Sequence, residues 1–196
     1  IRNNGKPEDK VELRLAINAG SVLEDDDQQG LAHFMEHMNF NGTTNFEKNE
    51  LVDYLQGIGV KFGADLNAYT SFDETVYILP IPSDDPEKLE QGLTILEDWA
   101  QGAKLETDAI NDERGVVLEE SRTGKGARDR MNKITIPVQF YNSKYADRLP
   151  IGKDSILENF KPEVLKRFYK DWYRPDLMAV VAVGDLDVAT LEEKIK

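Results

Sequence analysis

The sequence predicts an α+β fold, a mostly antiparallel sheet with helices packed against it, and three observations carry that expectation. Residues 11–19 alternate apolar and polar side chains, the period of a half-buried strand. Two more strand-like runs, 60–71 and 74–81, flank a short polar turn, as an antiparallel pair would. Helical stretches fall between these strands without the regular strand–helix–strand alternation of a parallel sheet.

In chain order, the first strand gives way to the acidic turn Glu24-Asp25-Asp26-Asp27. Residues 28–40 follow, with Leu31, Phe34, Met35 and Met38 at helical spacing on a core-facing side. Thr44 and Glu47 have the spacing of a capping box that opens a helix to about residue 56, which Gly57 and Gly59 end. After the strand pair, Asp85-Pro86 places proline at the first position of a helix reaching residue 100. Thr107 caps a further helix that runs past Glu120 towards Arg130, and residues 131–151 read as irregular and tyrosine-rich. Pro162 opens a helix to Tyr173, and the apolar run 177–183 reads as a fully buried strand. A last helix begins at Asp187 and reaches residue 196 with no stop signal. Together with Ile1 in place of an initiator methionine, this suggests a piece of a longer chain.

Composition narrows the function. The chain has 196 residues, 37 acids against 24 bases and a formal charge of −13, which argues against binding a nucleic-acid backbone. No apolar run approaches the roughly 18 residues of a membrane span. With no cysteine there are no disulfides, thiolate metal sites or cysteine nucleophile.

The chain has two histidines, His33 and His37, within the run His33-Phe34-Met35-Glu36-His37. On a helix they stand one turn apart on one face, so both imidazoles can reach one ion. Glu36 lies about 100° round from His37, flanking the pair, where it could hold a water rather than the ion. Two histidines placed at random fall four apart in about 1% of cases, and a glutamate before the second cuts that roughly tenfold. A pair of plain surface histidines is therefore the weaker reading. A two-histidine zinc site needs a third protein ligand and an open position for water. Without cysteine that ligand is a carboxylate. Residues 110, 113, 117 and 120 share one helical face, which puts Glu113 and Glu120 on a stripe with two apolar residues, while Glu119 is turned away. Both remain candidates on spacing, since an acidic helix side can simply face water. Zinc chemistry with a nearby carboxylate to accept and return a proton suits peptide or amide hydrolysis.

The order His-x-x-Glu-His, joined to the later run from Glu113 to Glu120, resembles the pitrilysin/insulinase (M16) metallopeptidases, the inverzincins. The run Asn67-Ala68-Tyr69-Thr70 is similar to that family's substrate-side strand, and residues 173–184 to the strand near the end of its first domain. The likeness spans the whole chain and looks closest to bacterial periplasmic zinc proteases. It implies residues 1–196 as a single N-terminal domain of a longer, multi-domain chain, with an α+β roll fold. It also implies one Zn2+ on His33, His37 and Glu120, Glu36 as general base, Glu113 as a supporting acid, and Asn67 and Ala68 on the strand that receives an extended peptide. The implied partners are a peptide substrate and a homologous C-terminal domain that supplies an Arg and a Tyr near the scissile bond. On that reading the fragment alone cleaves poorly or not at all, and the parent is a periplasmic or exported zinc endopeptidase. The rival is a non-catalytic scaffold or partner subunit of the same fold, which usually loses parts of the metal motif.

Overall fold

The computed structural model describes residues 1–3, 6–48, 50–60 and 67–195. Its elements in chain order are β1 (Arg2–Asn3), β2 (Lys10–Ile17), α1 (Leu31–Met38), α2 (Glu50–Gly57), β3 (Asn67–Thr70), β4 (Thr75–Pro82), α3 (Pro86–Gln101), α4 (Thr107–Gly124), α5 (Ala127–Gln139), α6 (Asp154–Asn159), α7 (Pro162–Trp172), β5 (Met178–Gly184) and α8 (Val188–Ile195). The strands form one sheet in the order β1-β5-β2-β4-β3, antiparallel throughout except for the short β1–β5 pairing.

Alternation in β2 sets the sheet's two faces. Val11, Leu13, Leu15 and Ile17 are fully buried on the helix side, and Glu12, Arg14 and Ala16 point the other way. Register brings Leu15 opposite Tyr77 of β4 and Val180 of β5, so those residues share the helix-side face. Pro80 and Pro82 of β4 stand opposite Glu12 and Lys10 of β2 in register. Helix α3 packs tightly on the sheet at Gly92, where a side-chain carbon would stand 2.6 Å from Ile81 Cδ1. Trp99 of α3 stacks on Tyr77, ring centres 5.2 Å apart, and its carbonyl accepts a 2.9 Å bond from the buried Asn39 amide just after α1. That bond ties the end of α1 to the core.

Several expectations change. Strand β5 is not fully buried: Ala179 and Val181 lie on the outer face and Val181 is 40% exposed, because no described helix covers that face. The long helix after Thr107 is two, broken at Gly124-Lys125-Gly126, and Thr107 is the first helical residue rather than the cap. The stretch read as irregular contains most of α5 and a single 3₁₀ turn at Lys144–Asp147. No α5 residue is buried, so it lacks the core-facing stripe by which helices are recognised. The box at Thr44 does not form: Thr44 bonds the Gly102 carbonyl, the Glu47 N–H donates to Glu50 at 2.8 Å, and α2 starts at Glu50. The first part of the 60–71 strand lies outside the described residues, and β3 is its visible end.

Candidate metal centre

Helix α1 starts without a conventional cap. Its N-cap is Gly30 at φ 101°, a left-handed conformation that glycine adopts without strain, and it offers no side chain. Glu24 takes over, with Oε1 accepting from the N–H groups of Gly30 at 3.0 Å and Ala32 at 2.8 Å. A carboxylate at a helix N-terminus also meets the positive end of the dipole. Burial nevertheless dominates and pushes the Glu24 carboxyl up to about 8, against those two bonds and Arg148. The Arg148 guanidinium binds the Glu24 carbonyl at 3.1 Å and Asp26 at 2.6 Å, fastening the later loop to the acidic turn. Gly152 packs backbone to backbone on Gly30 in the same place.

Leu31, Phe34, Met35 and Met38 bury one side of α1, and Phe34 meets Phe160 edge-on at 5.0 Å. That orientation leaves His33 and His37 facing α4. There the stripe behaves as its spacing implies: Ile110 and Val117 are in the core and Glu113 is 8% exposed, while Glu120 stands further out at the rim. His33 Nε2 and His37 Nε2 are 3.3 Å apart, and Glu120 Oε2 is 3.6 Å from the first and 3.3 Å from the second. These three atoms form a possible metal-binding group. Donors bound at about 2.0–2.1 Å on a tetrahedral zinc stand about 3.3 Å from one another, so the triangle has the right size. Two imidazole nitrogens and a carboxylate oxygen are donor types that zinc takes, and here the three lie within reach of one ion. The residues present therefore fit a zinc ion.

Glu113 supports this triangle from behind. Its Oε1 is 2.9 Å from His37 Nδ1, and its Oε2 accepts from Asn41 Nδ2 at 2.8 Å, which also bonds the His37 carbonyl at 3.2 Å. Burial pulls His37 down, but the bonds to Glu113 and Glu120 outweigh it and raise it to about 9. Burial and the neighbouring His37 instead drive His33 to about 4. Burial alone would raise Glu113, yet its bonds to His37 and Asn41 hold it below the ordinary carboxylate value.

Glu36 lies apart from the triangle, on the β3 side. It is 8% exposed, its Oε2 accepts a 2.6 Å bond from the Thr70 hydroxyl, and burial raises its carboxyl against that bond. Glu119 pairs with Arg122 away from the site, as its angle implied. Asn67 and Ala68 lie on β3, the sheet's edge, where Ala68 faces Tyr77 across the pair and Asn67 is exposed. A cleft of about 700 Å³ opens beside Glu120 between α4, α5 and residues 149–154. A larger one, about 930 Å³, lies under α3, β5 and α8 and shares no residue with the site.

Three residues of this arrangement are not picked out as site residues from the sequence: Glu24, Asn41 and Thr70. Thr70 was the most accessible, since a strand's two-residue period puts it on the same face as Ala68. Asn41 follows His37 by one helical turn, but α1 has ended by then.

Fold and site together define a class: an α+β unit that sets an inverted His-x-x-Glu-His helix against a glutamate-bearing helix beside the edge strand of the described sheet. The family model described as insulinase (peptidase family M16) matches residues 1–142, and that of the peptidase M16 inactive domain matches 159–196. A zinc protease PQQL-like protein of Arabidopsis thaliana is 41% identical over 197 residues, covering all of this chain and 21% of its own length. The probable zinc protease PqqL of Haemophilus influenzae is 37% identical, again over the whole chain and 21% of its own length. The crystal structure of the first half of the periplasmic protease PqqL from Escherichia coli superposes with a TM-score of 0.92 at 38% identity, over 97% of this chain and 41% of that one. The chain thus belongs to the M16 insulinase family of peptidases, and it spans about a fifth of the length of the curated relatives it matches. The two matched segments build one sheet, with β5 from the second lying between β1 and β2 from the first.

Proposed function

We propose that this chain is the zinc-binding N-terminal domain, residues 1–196, of a periplasmic or exported endopeptidase that hydrolyses unfolded peptides. The observation that carries this reading is the triangle of His33, His37 and Glu120 with Glu36 beside it and β3, the edge strand among the described residues, next to Glu36. Zinc held by the three ligands would polarise the scissile carbonyl and acidify a water. Glu36 takes a proton from the attacking water and delivers it to the departing amine nitrogen, so that one water adds across the peptide bond. Glu113 holds His37 through Nδ1 and fixes which ring nitrogen faces the ligand set. The edge of β3 at Asn67 and Ala68 receives the substrate as an added strand, which orients the scissile bond without demanding a particular sequence. A homologous C-terminal half completes the site, and the isolated fragment turns over peptides slowly or not at all.

The test uses the full-length protein. With zinc bound it should cleave unfolded polypeptides, lose activity with chelator and regain it with zinc. Glu36→Gln should keep zinc and lose at least about 100-fold in kcat. A zinc-replete full-length protein that cleaves no unfolded polypeptide would point to the scaffold role instead. Efficient cleavage by residues 1–196 alone would refute the need for the second half.

A further inference from the structure

Among the described residues, Thr70 is the hydrogen-bond donor that the Glu36 carboxylate has, at 2.6 Å to Oε2. The proton count settles which way this bond runs. Thr75, paired with Thr70 in register, commits its hydroxyl proton to the Ala19 carbonyl at 2.9 Å. It has no proton left for Thr70 at 3.4 Å, and a carboxylate is the stronger acceptor, so the Thr70 proton goes to Glu36. Oε2 is thereby occupied and Oε1 has no protein partner among the described residues. Thr70 is also a residue of β3, the edge strand, two positions from Ala68 on the same face.

We propose that Thr70 is the positioning residue of the base: its hydroxyl fixes the Glu36 carboxylate and refers it to the strand on which the peptide docks. This rests on the reading of Glu36 as base and β3 as docking edge. A peptide paired with β3 then has its scissile bond and its proton acceptor registered to the same four-residue segment. A base left to rotate loses that registration, and displacements of about 1 Å in a catalytic group cost on the order of 100-fold in rate. The methyl group of Thr70 plays no part in this, which separates the proposal from a packing role.

The experiment is steady-state kinetics of the full-length protein carrying Thr70→Val or Thr70→Ser, with zinc content measured on each. Thr70→Val should lower kcat about 10- to 100-fold while KM changes by less than about threefold and zinc stays stoichiometric. Thr70→Ser, which keeps the hydroxyl and loses the methyl, should return to within about threefold of wild type. Adding Thr70→Val to Glu36→Gln should cost little more than Glu36→Gln alone, because the two act as one unit. The proposal is overturned if Thr70→Val keeps its kcat, if its loss follows lost zinc or lost folding, or if valine is tolerated and serine is not. A wild-type protein that holds zinc and does not cleave peptides refutes the underlying reading instead, before either variant is compared.

Discussion

Replacing Glu113 by glutamine should weaken zinc binding, and by more at high pH than at neutral pH. Glu113 accepts two bonds at once, from His37 Nδ1 at 2.9 Å and from Asn41 Nδ2 at 2.8 Å. Glutamine offers one acceptor oxygen and turns the other position into a donor facing donors, so one contact is lost and the survivor carries no charge. Losing such a supporting partner costs about 10- to 100-fold in metal affinity, or about 1.4–2.7 kcal/mol. A second effect opposes it. The same carboxylate helps raise His37 from an ordinary 6.5 to about 9, so near neutral pH a proton competes with zinc, and the variant relieves that competition. The net loss survives because a doubly charged ion feels the missing negative charge more than a proton does. The pH dependence follows: wild-type affinity climbs as pH rises towards 9 and His37 gives up its proton, whereas the variant has completed that gain at lower pH. Zinc competition against a chromophoric chelator at pH 7 and at pH 9.5 reads both numbers. A deficit at pH 7 that widens to at least about tenfold at pH 9.5 is expected. Equal affinities, or a deficit that narrows with pH, would sink the assignment of Glu113 as the support of His37.

Three further outcomes can be measured. Glu24 is raised from 4.5 to about 8, so between those values the folded protein binds more protons than the unfolded one and loses stability as pH rises. Relative to wild type, Glu24→Gln should gain stability with pH across that window, by up to about 1.4 kcal/mol per unit, in urea unfolding of chelated protein; a pH-independent difference would contradict this. Gly152→Ala places a carbon 2.3 Å from Gly30 Cα at a φ of 74°, and should cost at least about 2 kcal/mol and weaken zinc binding by tilting the start of α1. Unchanged thermal stability would show that the contact yields easily. Tyr173→Phe removes one hydroxyl of the buried 2.8 Å Tyr77–Tyr173 pair and should cost about 1–2 kcal/mol, with zinc content unaffected; full stability in the variant would mean that the orphaned Tyr77 hydroxyl finds another partner.

What could be read from the sequence was whatever periodicity and scarcity reveal. His33 and His37 stood out because there were no other histidines, and the 110, 113, 117, 120 stripe named both acids although it could not rank them. The structure separates the two by depth, Glu113 within the site and Glu120 at its rim, a difference of position across the helix pair that spacing along one helix does not contain. Strand β2 was legible because one face is buried, and α5 was not because neither face is. Glu24 could not be found because it caps a helix from six residues upstream, by a turn that brings its side chain back to Gly30. Strand β1 was missed for a simpler reason: two residues show no period, and its pairing depends on β5.

That arrangement of the sheet has a consequence for how the chain acquires its structure. Strand β2 (Lys10–Ile17) has β5 (Met178–Gly184) as one of its two neighbours, so the sheet cannot close until the long segment between them has been made. Contacts this distant in sequence slow folding, because the loop between them must be ordered before they form. During synthesis β2 therefore waits with its β5 edge open, a state in which strands pair with wrong neighbours. The histidines belong to the intervening segment, so a zinc ion that arrives early meets His33 and His37 before the frame that holds α1 against α4 is complete.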